Sequence, residues 1–258
     1  MKPNNTFDRN RFFVLIRNDL FTGYRNLLIA GGAIAGALLV IYLLSAWNNA
    51  NPDFHRTFFP MVIFFGGYLT TSMVFKDIHE KQRNYIYLTL PASTLEKFLS
   101  RLLLTSVGFV AIVLALYYLF SWIAAGLSQL LFHQSLLAFH PFTRETLTAL
   151  GVYLVTQSVF LFAAVYFRSH AFFKTLLSIF SFSLIVSIFA MVVVRLVFWK
   201  YFNGLFVPDH FDINLRYMFG NGESFARFAS AVSKILFWFV MAPYFWIVTY
   251  FRLKETEA

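Results

Sequence analysis

His79-Glu80 opens the H-E-x-x-H pattern, in which one helix face projects two imidazoles onto a zinc ion, but Arg83 stands where the second histidine belongs. The other histidines, His55, His133, His140, His170 and His210, are scattered without ligand spacing and read as interface residues. No metal site is expected. No Gly-x-Ser-x-Gly elbow is present to expose a serine nucleophile. Ser178, Ser181, Ser183 and Ser187 could be argued as a polar path, yet serines commonly hydrogen-bond between helices in membranes, and Gln129 and the pair Gln157-Ser158 read the same way. With no cysteine in the chain, disulfides, thiolate nucleophiles, cysteine zinc sites and covalent haem attachment are excluded together. No lysine follows a glycine, so the chain has no P-loop to hold nucleotide phosphates and magnesium. If ATP drives this protein, another polypeptide binds it. Catalytic residues are not expected in this chain.

The elements that must carry these residues are those of a membrane protein. A mean hydropathy of +0.65, 35 phenylalanines and 13% charged residues do not describe a soluble domain. A bilayer core about 30 Å thick needs roughly 20 mostly apolar residues per helix. The chain offers six such runs, at about 27–46, 57–75, 101–131, 146–167, 175–198 and 233–251. The expected fold is therefore all-α, a single polytopic domain. The run after the polar, basic first 26 residues is longer than a signal-peptide core and has no clear cleavage site, so the first span is read as uncleaved.

Residues 7–25 place Phe13, Ile16, Leu20 and Tyr24 at three-to-four-residue spacing, with Arg9, Arg17, Asn18 and Asp19 elsewhere around the wheel. That pattern predicts an amphipathic helix lying on the membrane surface, with Phe13, Ile16, Arg17 and Leu20 as its contacts. The first span carries Gly32-x-x-x-Gly36, which permits close helix packing. The third span, with the helical residues before Arg101, exceeds what a bilayer requires and should tilt or protrude. Trp199 to Ser230 is too polar to span and too apolar for a solvated loop, so it reads as interfacial or re-entrant. The span centres hold no charge, which demotes an ion-coupled pump, and Arg195 near Trp199 and Lys200 reads as snorkelling.

Six spans put both termini on one side. The N-terminal segment 1–26, the charged stretch 75–101, the turn 168–174 and the tail hold 14 of the 21 lysines and arginines. By the positive-inside rule those segments are cytoplasmic. The formal charge of +9 is then spent on cytoplasmic flanks and anionic lipid headgroups, and nucleic acid is not an expected partner.

The charged stretch FKDIHEKQRNYIYLTLPASTLEKFLSR has internal order. Asp77, Glu80, Lys81 and Arg83 occupy one half of a first segment, and Tyr85, Ile86, Tyr87, Leu88 and Leu90 the other, so it can lie along the membrane with its charges outward. Pro91 disfavours helix at Leu90 and breaks the segment. Ser93 and Glu96 have the spacing of a capping box, and the new helix runs through Lys97 and Arg101 into the third span.

This order is a basic surface helix, two spans, an intracellular Glu80 followed by Leu90-Pro91-Ala92-Ser93, Glu96-Lys97 at the head of a third span, and a re-entrant-looking segment before the last span. It resembles the membrane subunit of a type-2 ABC transporter, an ABC exporter permease. Many family members have Gly-Thr after the glutamate and an arginine after the serine; here Arg83-Asn84 and Thr94 stand near those places. The resemblance implies pairing with a second permease copy or a sister permease, and docking of a separate ABC ATP-binding subunit that holds ATP and magnesium. It implies that Asp77, Glu80, Lys81 and Arg83 are polar contacts to that subunit, that Pro91 is the elbow, and that the chain itself holds no cofactor. The implied place is a prokaryotic inner membrane, and the implied cargo is hydrophobic or amphipathic. The alternatives are an intramembrane lipid-acting enzyme, which would need a convergent set such as His133, His140 and Ser181, and a non-transporting membrane scaffold or assembly factor.

Overall fold

The computed structural model describes residues 7–47, 54–80, 92–133, 138–197, 199 and 222–257. Every described element is a helix. These are α1 (Arg9–Trp47), α2 (Phe54–Met73), the short α3 (Lys76–His79), α4 (Thr94–Leu103), α5 (Phe109–Phe132), α6 (Arg144–Tyr166), α7 (Ala171–Val197), α8 (Gly222–Ile235) and α9 (Met241–Glu257). Two π-helical turns interrupt the series: Leu104–Gly108 joins α4 to α5, and Leu236–Val240 joins α8 to α9. Six helices are long and apolar enough to cross a membrane. The layout is that of a multi-pass membrane protein.

Helix α6 is the central staff. Half of its most apolar window is buried, whereas the corresponding window of α7 has no buried residue at all. A 27-residue apolar helix buried only at Ala171, Phe172 and Thr175 would be untenable in water, but hydrocarbon is as apolar as its leucines and phenylalanines. Serines 178, 181, 183 and 187 all sit on this exposed helix, so they line no interior path.

Two aromatic-rich cores hold the bundle. One joins Tyr42, Phe59, Ile63, Tyr117, Phe139 and Tyr153; the other joins Phe75, Ile78, Phe98, Leu161, Ala164 and Leu253. The crossing of α2 and α6 is set by Gly67, whose missing Cβ would fall inside van der Waals reach of the Tyr153 ring. Tyr153 then donates its hydroxyl to the Thr105 carbonyl at 2.7 Å, and Gln157 donates Nε2 to Thr105 Oγ1 at 2.8 Å. Both are ordinary interhelical hydrogen bonds between buried groups.

The π turns have local causes. Thr105 and Ser106 turn their hydroxyls back onto the carbonyls of Arg101 and Leu102, at 2.8 and 2.5 Å, which loosens the ladder where the turn widens. Pro243 lacks the N–H that would pair with the carbonyl of Phe239, and the second π turn lies over that position.

Two boundaries differ from those the sequence suggests, and a third agrees. Residues 7–25 do not form a helix separate from the first span: α1 is continuous over 39 residues, because nothing between 22 and 28 breaks a helix. The third span and the helix before it run as one unit over Thr94–Phe132, as its excess length suggests. The segment read as re-entrant to Ser230 becomes helical at Gly222 and continues into the last span; its residues 200–221 lie outside the described ones.

Candidate functional site

The start of α4 meets the first half of α1 and the short α3, and the charged residues converge there. Ser93 sits in an extended conformation and caps α4. Its Oγ accepts the Glu96 N–H at 3.3 Å, and Glu96 Oε2 accepts the Ser93 N–H at 2.9 Å. The capping box read from the sequence is therefore complete. The glutamate of a capping box on a surface helix faces water, but Glu96 is 0% exposed. Its second oxygen, Oε1, accepts the backbone N–H of Asp8 at 2.6 Å and Arg11 Nη2 at 3.3 Å. Asp8 in turn caps α1, accepting the Asn10 N–H at 2.8 Å. One carboxylate thus serves two helix starts 85 residues apart.

Five residues along α4, Arg101 spreads its guanidinium over three elements. Nε lies 3.0 Å from Asp19 Oδ2 on α1, Nη1 donates to the Val74 carbonyl at the end of α2 at 3.0 Å, and Nη2 lies 3.7 Å from Asp77 Oδ2 on α3. A rigid five-donor fork suits this work; a lysine would offer three donors from a single nitrogen and could not span the three elements in the same way. Burial pushes the Asp19 carboxyl above its ordinary value. The Arg101 guanidinium opposes that, the nearby Asp77 charge adds to it, and burial wins.

Of the residues singled out by sequence, Asp77 joins this junction and Glu80 forms an ion pair with Lys76 at 3.0 Å one turn back along the chain. Lys81, Arg83 and Pro91 lie outside the described residues. Phe13 and Leu20 are exposed on α1, Ile16 is half-buried, and Arg17 lies over the Phe21 ring at 5.7 Å. With Arg11 and Asp19 turned toward α4, the outward face of this half-helix mixes apolar Phe13, Val14, Leu20 and Phe21 with polar Arg9, Asn10, Arg17 and Asn18.

No family model, curated protein or solved structure matches the chain.

The junction contains no nucleophile poised beside a base. His79 places Nε2 3.2 Å from the Ala164 carbonyl, which can only accept, so that nitrogen carries its proton and has no lone pair for a metal. No group of three metal-ligating side chains exists among the described residues. His133 and His140 are exposed in the connection between α5 and α6, while Ser181 is on the exposed α7. Ser121 does approach His55, with Oγ 3.5 Å from Nε2, a pairing the sequence did not suggest. Ser121 is fully buried, however, and its oxygen accepts the Phe139 N–H at 2.6 Å, which suits it to packing. An open groove of about 590 Å³ between α2 and the start of α6 is lined by Phe64, Arg144, Glu145, Thr148, Ala149 and Val152, with no histidine.

Sequence reasoning missed Arg11 and Asp19 as partners of α4. The available signal was a carboxylate set between apolar residues: Asp19 comes after Phe12–Ile16 and the pair Arg17-Asn18, and immediately precedes Leu20-Phe21. Such a residue needs a countercharge, although its position in the sequence does not say which one.

Proposed function

We propose that this chain is the membrane-spanning permease subunit of an ATP-driven ABC exporter. A separate ATP-binding subunit holds ATP and magnesium and docks against the loop between the second and third spans. The subunit works with a second copy or a sister permease in a prokaryotic inner membrane, with both termini cytoplasmic, and exports a hydrophobic or amphipathic substrate. Its chemistry is conformational: it has no catalytic residue and no cofactor of its own.

The observation that carries this reading is the junction on α4. The segment offering Asp77 and Glu80 is tied by one guanidinium to the first helix and to the head of the third. A push on α3 is therefore delivered to spans rather than absorbed by a slack loop. The absence of a P-loop from this sequence fits an ATP-binding site carried elsewhere.

Purification of the tagged protein from its native host under gentle detergent should recover an ATP-binding subunit. Repeated recovery without one sinks the proposal. In the recovered complex, changing Glu80 and Arg83 together should uncouple ATP hydrolysis from the permease, whereas a scaffold would leave hydrolysis untouched.

A further inference from the structure

The N-terminal segment is held to the exit of the loop by charges that the loop's own helix start also uses. Glu96 is the clearest case. Its Oε2 closes the cap of α4 on Ser93, while Oε1 takes the Asp8 N–H and Arg11 Nη2. If Asp8 and Arg11 withdrew while the site stayed dry, a fully buried carboxylate would keep only its cap partner, and stranding such a charge is strongly unfavourable. If instead the elbow moved Ser93 away, the same carboxylate would lose its other support. The two ends of the clasp cannot move independently at low cost.

A second tie fixes the register. From Glu96 to Arg101 is about 7 Å along α4, and from Arg11 to Asp19 about 12 Å along α1, at 1.5 Å per residue. The pairs run in the same order along both helices: Glu96 with Arg11, then Arg101 with Asp19. One tie would be a pivot, but two in sequence resist both sliding and splaying. Arg101 also reaches Val74 and Asp77, so the end of α2 and the whole of α3 are part of the same block.

We propose that Glu96 and Arg101 are positioning residues that clamp the first half of α1 to the loop exit, so that spans one and three move together when the loop is displaced. The source of that displacement rests on the permease function proposed above; the clamp itself rests on the distances. Residues 7–11 are then a working part of the transmission, and α1 moves with α4 although 46 residues and a whole span separate them in the chain.

The chain has no cysteine, so Phe7→Cys with Ala92→Cys introduces a single pair of thiols on the two sides of the Glu96 carboxylate. A short bifunctional maleimide applied to membranes should join them readily in the parent. Glu96→Ala should lower the cross-linking rate roughly tenfold or more, the scale set by loss of a buried charge's partners. Glu96→Gln should fall between, because its amide oxygen still accepts one backbone N–H but no longer pairs with Arg11. Arg11→Gln, which leaves the Ser93 cap intact, should also slow the reaction, and Arg11→Lys should restore part of it. Arg11→Gln carries the test if Glu96→Ala does not fold. Equal rates in the parent, Glu96→Gln and Arg11→Gln overturn the clamp. In the purified complex, Arg101→Gln and Glu96→Gln should each raise ATP hydrolysis spent per substrate moved; unchanged coupling with a broken cross-link overturns the transmission role. If no ATP-binding subunit is recovered, the permease proposal falls, while the cross-link still decides the clamp.

Discussion

At the scale of single residues, the buried groups at helix contacts set the sharpest expectations. Gly67→Ala puts a methyl into the Tyr153 ring, in a crossing where both the ring and its hydroxyl partner Thr105 are fixed. It should destabilise by about 1–3 kcal/mol, the usual cost of overpacking. Gly126→Ala meets nothing within 4 Å and should be neutral, or stabilising by up to about 1 kcal/mol from helix propensity. Thermal unfolding in detergent separates them, and equal melting temperatures would contradict the crossing. Asp19 sets a pH expectation. Its raised pKa means that the folded state disfavours the ionised carboxyl, so the stability it contributes is fully present below the ordinary carboxylate value and is lost as pH rises through the raised value. The melting temperature of the parent relative to Asp19→Asn should therefore rise as pH is lowered from about 7 to about 4. A difference that stays flat or shrinks refutes the burial argument. The start of α4 was legible in its residues: Ser93 and Glu96 form the capping box that their spacing predicts. The clamp was not, since Asp19 and Arg101 are paired by packing across two spans, a relation that no local spacing encodes.

Elements were legible in proportion to how local their causes are. Ser93 with Glu96 needs only a three-residue spacing to cap a helix start, and α4 begins there. The six long apolar runs follow from bilayer thickness alone. The break expected after residue 25 does not exist, because a change from polar to apolar composition alters a helix's surroundings without interrupting its hydrogen bonds. The π turns were also hidden, since they depend on hydroxyls that bond backward and on the effect of Pro243 on the carbonyl four residues earlier. The cap can be tested on its own element. Ser93→Ala removes the Oγ acceptor of the Glu96 N–H and should weaken the start of α4 by about 0.5–2 kcal/mol. Hydrogen exchange should then quicken in residues 94–97 and remain unchanged in α6. Faster exchange throughout the chain would mean that the cap stabilises the whole bundle.

For the whole molecule, the arrangement in the bilayer decides whether the junction on α4 can meet an ATP-binding subunit at all. The positive-inside rule makes orientation an expectation, since the lysines and arginines cluster at the α3–α4 end and both termini. Phe142, 85% exposed between α5 and α6, belongs to the opposite end. Three candidate spans separate it from Thr256 near the end of α9, so the two positions must lie on opposite faces if all three cross. Because the chain has no cysteine, Phe142→Cys and Thr256→Cys each give one thiol to probe with a membrane-impermeant maleimide. On intact cells with a permeable outer envelope, Phe142→Cys should label at once and Thr256→Cys only after the inner membrane is opened. Labelling of both from outside would remove one of the three crossings. Labelling of Thr256→Cys alone would invert the molecule, turn α3 away from the cytoplasm where ATP is found, and leave the clamp with no ATPase to serve.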